Sequence, residues 1–264
     1  MSLPEVFPLE KAYEKQFLDF LDRDRILHIF TIFDLRYQRD KTRVWMAFEN
    51  NEIISYLMEF DKRIVHTHGD AVSVAKLLDF INLDEAMFVI EPIHLQAVEK
   101  CFEIVERTDY SSSFPKAKIM TYLVMKVDAE TFKPWVKHPV GRLGTEDLDN
   151  VLKSMGDELS RQVNNAIQRG FAFGIYENES LVSIATTSNI VDDLALIRGV
   201  YTIPSSRGKG LATSTCSALV EELIDRGKKA ILWVSKDNLP AMRVYEKIGF
   251  KKTGHILLAF HAIK

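Results

Sequence analysis

The 264-residue sequence predicts an α/β (α+β) fold, a mixed and mostly antiparallel sheet with helices on both faces. Three observations predict it. Apolar runs of strand length recur along the whole chain, separated by segments with i, i+3, i+4, i+7 spacing. A glycine-rich turn, Arg207-Gly208-Lys209-Gly210-Leu211-Ala212, leads from one such strand into a helix. The second half reads β-α-α-β-β-β-α-β-α-β, and the first half repeats that order.

The first half opens with a helical stretch at 9–21. Strands follow at 43–49, 53–60 and 63–68, then a helix at 71–80, a strand at 87–90, a helix at 94–107 and a strand at 118–127. The segment 131–144, carrying Pro134 and Pro139, reads as the connection between halves, which gives domains 1–130 and 131–264.

The second half is clearer. A short strand at 140–143 leads to Thr145, an N-cap candidate with Glu146 and Asp147 in the first turn, where negative charge is favoured. A helix at 157–169 puts Leu159, Val163, Ala166 and Ile167 on one face and ends at Gly170. Residues 171–176 and 181–188 form a hairpin across Glu177-Asn178-Glu179-Ser180. A strand at 194–203, the glycine turn, a helix at 211–226 closed by Gly227, a strand at 230–234, a helix from Asn238 and a last strand at 252–262 complete it. The two hairpins align without gaps: Phe48-Glu49-Asn50 and Ile53-Ile54-Ser55 fall on Tyr176-Glu177-Asn178 and Leu181-Val182-Ser183.

The glycine turn carries the first chemical signal. At a helix start several backbone N–H groups lack partners, and the macrodipole favours negative charge there. Gly208 and Gly210 let the main chain approach an anion closely, and Arg207 and Lys209 add cationic charge, which suits a diphosphate. The second signal is Asn238-Leu-Pro-Ala241-Met-Arg-Val-Tyr245-Glu-Lys-Ile-Gly249-Phe250. Asn238 is an N-cap, Pro240 fits the first turn, and Gly249 fits the C′ position. Asn238 and Tyr245 are nearly two turns apart, about 10 Å along the axis and on roughly one side.

Together these segments resemble the GNAT superfamily of acyl-CoA-dependent N-acetyltransferases, over roughly residue 140 to the end. The hexapeptide is similar to that family's Arg/Gln-x-x-Gly-x-Gly/Ala loop, and the later stretch to its Asn-x-x-Ala-x-x-x-Tyr helix followed by Gly-Phe. The resemblance implies tandem GNAT-like folds with acetyl-CoA as co-substrate. It places the coenzyme diphosphate on the backbone of Gly208, Lys209, Gly210, Leu211, Ala212 and Thr213, and pantetheine along Val200-Tyr201-Thr202. Asn238 joins the binding set, and Tyr245 matches the residue that protonates the leaving sulfur. An amide of the pantetheine strand would hold the thioester oxygen.

The first copy departs where the chemistry would be. His68-Gly69-Asp70 stands at the loop position with one glycine and no Arg or Lys, and the helix after Pro92 lacks the Asn/Tyr pair. Its expected roles are structural or in shaping the acceptor pocket. The general base is left open: some relatives have a Glu four residues before the pantetheine triplet, and Leu196 stands there. Candidates are Glu158, Asp192, Asp193, His255 or water. By the period-two rule Arg198 shares a strand face with Val200 and Thr202, where it would meet an acceptor carboxylate or balance a neighbouring acid. His66 and His68 share a strand face but have no third ligand at defined spacing, so they read as exposed histidines and no metal is expected. Trp45, Trp135 and Trp233 read as packing residues, and Phe30, Phe33 and Tyr37 as candidates to line an acceptor cleft.

With 34 basic and 37 acidic residues the chain is near neutral, no basic stripe stands out, and nucleic acid is not an expected partner. No apolar run reaches membrane-spanning length, so a cytoplasmic enzyme without a membrane partner is expected, with a homodimer as one arrangement. Cys101 and Cys216 lie in helical patterns and read as buried thiols. The leading function is an N-acetyltransferase acting on a primary amine of a small molecule or peptide. The alternatives are a non-catalytic acyl-CoA-binding regulatory module and a transferase for longer acyl groups.

Overall fold

A computed structural model of the chain describes residues 4–106 and 118–264. In chain order the elements are β1 Glu5–Pro8, α1 Glu14–Leu21, α2 Ile29–Tyr37, β2 Thr42–Glu49, β3 Glu52–Phe60, β4 Ile64–Gly69, α3 Ala71–Leu77, β5 Glu85–Ile90, α4 Leu95–Glu99 and β6 Glu103–Val105. Then follow β7 Met120–Val127, β8 Gly141–Arg142, α5 Leu148–Met155, α6 Asp157–Arg169, β9 Ala172–Glu177, β10 Ser180–Val191, β11 Leu194–Thr202, α7 Leu211–Asp225, β12 Lys229–Ser235, α8 Leu239–Lys247 and β13 Lys251–Ile263. This is the mixed, mostly antiparallel α/β architecture that the sequence predicts.

The chain divides into two compact units, Met1–Leu123 with His255–Lys264, and Val124–Gly254. The boundary thus falls a few residues before 130. The last ten residues depart from the 131–264 expectation, because Leu258, Phe260 and Ala262 of β13 are buried in the core of the first unit with Phe88 and Ile90. In that unit the strands run β1-β2-β3-β4-β5-β13, with β6 also on β13. In the second the order is β7-β12-β11-β10-β9-β8.

The repeat inferred from the hairpins holds in backbone detail. Asn50 and Asn51 turn β2 into β3 at positive φ, as Asn178 and Glu179 turn β9 into β10, the conformation a two-residue turn needs to match strand twist. Three residues past each turn the register slips, around Ile54 in the first hairpin and Val182 in the second. The carbonyls of those residues accept from Asp70 N at 3.2 Å and Ile203 N at 3.0 Å. Asp70 and Ile203 are therefore equivalent, and the first unit enters α3 at residue 71 where the second inserts residues 204–210 before α7.

Several expectations change. β1 and α2 are not among the elements the sequence predicts. α2 buries Ile29, Thr31, Ile32, Phe33 and Asp34, more than one face, so no amphipathic stripe marks it. It carries Phe30, packed on the His66 ring, and Phe33 against the exposed Tyr37. The helix expected at 94–107 is only α4; β6 follows because 103–105 pair with β13, a distant partner overriding local preference. Arg107 lies outside the described residues. Gly144, not Thr145, is the N-cap, its N–H donating to Asp147 Oδ2 at 2.8 Å. Cys101 is exposed in a turn, while Cys216 is buried. His66 and His68 are buried rather than exposed, His68 against the His28 and Tyr56 rings and His66 against Phe30.

Candidate functional site

The site is built where β11 ends and α7 begins. β11 and β12 are parallel and paired only through Leu194↔Lys229, Ala195↔Ala230 and Leu196↔Ile231. β11 continues to Thr202 and β12 to Ser235, so beyond Leu196 the two strands part. Val200, Tyr201 and Thr202 lie on this unladdered stretch. Thr202 Oγ1 meets Ser183 Oγ at 2.9 Å, anchoring the strand end to β10.

Pro204 opens a short 3-10 turn, and Gly208 and Gly210 then take left-handed φ values of 82° and 85°. Gly210 is the N-cap of α7 and offers no capping side chain. The first bonded amide is Ser214, which donates to the Gly210 carbonyl at 3.1 Å. The N–H groups of Leu211, Ala212 and Thr213 thus lack acceptors among the described residues, at the positive end of a 15-residue helix. Leu211 is buried with Ile175 and Val182, which fixes the helix start on the sheet.

The two cations are already engaged. Arg207 Nε donates to the Thr202 carbonyl at 3.0 Å and its guanidinium lies over the Tyr201 ring. Lys209 Nζ pairs with Glu177 Oε2 at 3.1 Å, and Ser206 Oγ donates to the same oxygen at 3.0 Å. The hydrogen bond from Lys209 is the main cause of the lowered Glu177 pKa. In the sequence Glu177 reads only as a turn residue; a pairing 32 residues away leaves no local signal.

The two glycines differ. A side chain at Gly208 would point into open space, whereas one at Gly210 would meet the edge of the Trp135 ring at 2.7 Å. Trp135 is held there by its backbone N–H, which donates to Ser217 Oγ at 2.8 Å, and by the Lys247 ammonium, 3.8 Å from its ring centre. The space beside the main chain is therefore open at Gly208 and filled at Gly210.

Asn238 caps α8, its Oδ1 accepting from Ala241 N at 3.2 Å. Gly249, at φ 102°, ends the helix as expected. Tyr245 is buried against Phe250, and burial, with a smaller contribution from Cys216, pushes its phenol well above the ordinary tyrosine range.

Arg198 is exposed, but it does not share a face with Val200 and Thr202. It pairs with Thr186 while Thr202 pairs with Ser183, and an extra residue lies between them at Gly199, φ 62°. That bulge reverses the alternation, so Arg198 and Tyr201 lie on one face and Thr202 on the other. Of the candidate bases, Asp192 and Asp193 sit at the opposite end of β11, roughly 25 Å from Val200 by strand rise. Asp193 pairs there with Lys229. His255 belongs to the first unit and bonds Asp24 Oδ2 at 2.8 Å, which raises its pKa and lowers that of Asp24. Glu158 is exposed on α6, where its Oε1 accepts from Gln162 Nε2 at 2.9 Å and its Oε2 lies 3.4 Å from Arg161.

The corresponding place in the first unit is closed. β4 and β5 pair through Thr67↔Ile90, nearly to the strand end. Asp70 Oδ2 caps α3 by accepting from Ser73 N at 2.8 Å, and Glu91 Oε1 accepts from Gly69 N at 3.2 Å. Two carboxylates occupy amides that a diphosphate would need.

A parted parallel pair leading through a glycine loop to an uncapped helix, repeated in closed form, defines a tandem GNAT fold. Residues 172–257 match the family described as FR47-like protein, within the GNAT-like second half. A 79-residue stretch is 34% identical to the uncharacterized N-acetyltransferase YobR of Bacillus subtilis strain 168, covering 30% of this chain and 32% of that protein. The match thus spans about a third of that relative's length. Among solved structures, a Drosophila protein superposes with a TM-score of 0.70 at 12% identity, covering 98% of each chain. A tandem GNAT protein from the clavulanic acid biosynthesis pathway does so with a TM-score of 0.59 at 12% identity, again covering 98% of each.

Proposed function

We propose that the protein is an acetyl-CoA-dependent N-acetyltransferase, moving an acetyl group to a primary amine of a small molecule or peptide by direct attack in a ternary complex. The observation that carries this reading is the parting of β11 from β12 directly before the three acceptor-free amides of α7. Strand-edge amides suit an extended amide chain such as pantetheine, and the helix start suits its diphosphate. In this reading the amides of Leu211, Ala212 and Thr213 bind phosphate oxygens. Val200, Tyr201 and Thr202 pair with pantetheine, and Asn238 sets the α8 helix that carries Tyr245. Burial holds the Tyr245 phenol protonated, the state in which it can donate to the departing thiolate. The acceptor enters on the side of the sheet that Arg198 faces. No step calls for a metal.

Calorimetry with acetyl-CoA, followed by thiol release across a panel of amines, amino acids and peptides, tests the reading. One bound coenzyme per chain with amine-dependent thiol release is expected. Binding without thiol release would replace it with the regulatory-module reading, and absence of binding would overturn both.

A further inference from the structure

Gln162, on α6, carries a buried side-chain oxygen. Its Oε1 has no hydrogen-bond partner among the described residues. It lies 2.9 Å from where a side chain would begin at Gly199, the bulge residue immediately before Val200. Its orientation is set by Glu158, whose Oε1 accepts from Gln162 Nε2 at 2.9 Å. A carboxylate only accepts, so this contact decides which end of the amide faces the strand. The neighbouring hydroxyl, Thr186 Oγ1, has given its proton to the Arg198 carbonyl at 2.6 Å. The bulge is thus flanked by an acceptor that awaits a donor, and an unmet buried carbonyl costs stability unless a ligand meets it.

We propose that Gln162 Oε1 receives an N–H hydrogen bond from the acceptor amine and so aims the amine lone pair at the thioester. The inference rests on the acetyl-transfer reading of this site and names the residue that holds the second substrate. A neutral carbonyl fits this role better than a charged group. A carboxylate in contact would favour the ammonium form, which has no lone pair to attack with, whereas an amide leaves the amine free to be neutral. The ligand class is a primary or secondary amine. A quaternary ammonium, with no N–H, is excluded.

The test follows the side-chain amide signals of Gln162 by NMR, assigned with Gln162→Leu, in the full chain with and without coenzyme A. The probes are ethylamine, putrescine, phenethylamine and lysine, with tetramethylammonium as control. At least one primary amine should shift the Gln162 signals and tetramethylammonium should not. With the amine that binds, Gln162→Leu should raise the amine KM at least tenfold and leave coenzyme affinity unchanged. The Leu variant, which removes an unmet polar atom, should melt no lower than the wild type. Gln162→Glu should move the acid limb of kcat/KM to higher pH. Failure of all four amines to perturb Gln162, or an unaltered amine KM in the Leu variant, would overturn the inference. Failure of coenzyme A to bind would instead overturn the acetyl-transfer reading, and the amine shifts measured without coenzyme distinguish the two.

Discussion

At Gly210 the space that a side chain would fill holds the edge of Trp135, whereas at Gly208 it is open. Both residues have positive φ, so alanine is strained at either, by about 1 kcal/mol. The consequences should separate. Gly208→Ala should weaken coenzyme binding about tenfold with a small fall in melting temperature. Gly210→Ala should lower the melting temperature further, by forcing Trp135 away. Calorimetry beside thermal melts checks this, and equal effects of both variants on stability would refute the distinction. For Tyr245, replacement by Phe removes a hydroxyl and preserves shape. Acetyl transfer should fall roughly 10²-fold, typical for a lost general acid, with coenzyme affinity held. Because burial raises the phenol pKa, wild-type turnover should show no alkaline limb from this group below pH ~10. Wild-type rates in the Phe variant would leave Tyr245 a packing residue.

The start of a helix is used in two ways in this chain. α7 begins uncapped after a seven-residue insertion, while α3 begins at once, capped by Asp70. Capping satisfies the amides that the other helix leaves free. Asp70→Ala should therefore cost about 1 kcal/mol of stability, seen as a lower urea midpoint at unchanged m. It should not create a second coenzyme site, because Glu91 still holds the Gly69 amide and β4 remains paired to β5. Two equivalent sites by calorimetry in that variant would show that the carboxylate cap alone closed the first unit. The β11 bulge belongs to the same scale: one extra residue at Gly199 decides which side chains face α6, and so which face Arg198 serves.

Across the whole molecule, acid should act through buried histidines. Burial pushes His28 and His66 down to about 3, from an ordinary value of 6.5. The unfolded chain then binds protons that the folded chain refuses, so stability should fall as pH drops from about 6.5 toward 3. Asp34 works the other way. Burial raises it to about 7, so between its ordinary 3.8 and 7 it favours the folded state as pH falls. Burial lowers His94 in the same direction, while the bond to Asp24 raises His255 and opposes it, so the net effect is a fall toward acid of about 1.4 kcal/mol per pH unit for each proton of imbalance. Urea denaturation at pH 7, 6 and 5 measures it. Constant or rising stability toward pH 5 would mean that the histidines are not buried neutral in solution.

What the sequence by itself determined is the set of features controlled by residues a few positions apart. These are the hairpin turns at Asn50 and Asn178, the Asn238 cap, the Gly249 stop, and the glycine loop leading from strand to helix. Their energies are local, so composition and spacing carry them, and with them the resemblance that pointed to the site. Tertiary structure decided whatever depends on a distant partner. The Glu177–Lys209 pair, the Trp135 edge against Gly210 and the early end of the β11–β12 ladder join residues far apart in sequence. So do the short β6 strand and the docking of Leu258, Phe260 and Ala262 in the first unit's core. Burial likewise decided that His66 and His68 lie away from water. A strand pattern with alternating side chains cannot report a single extra residue, which is why it puts Arg198 on the wrong face and gives no sign of the Gln162 oxygen beside it.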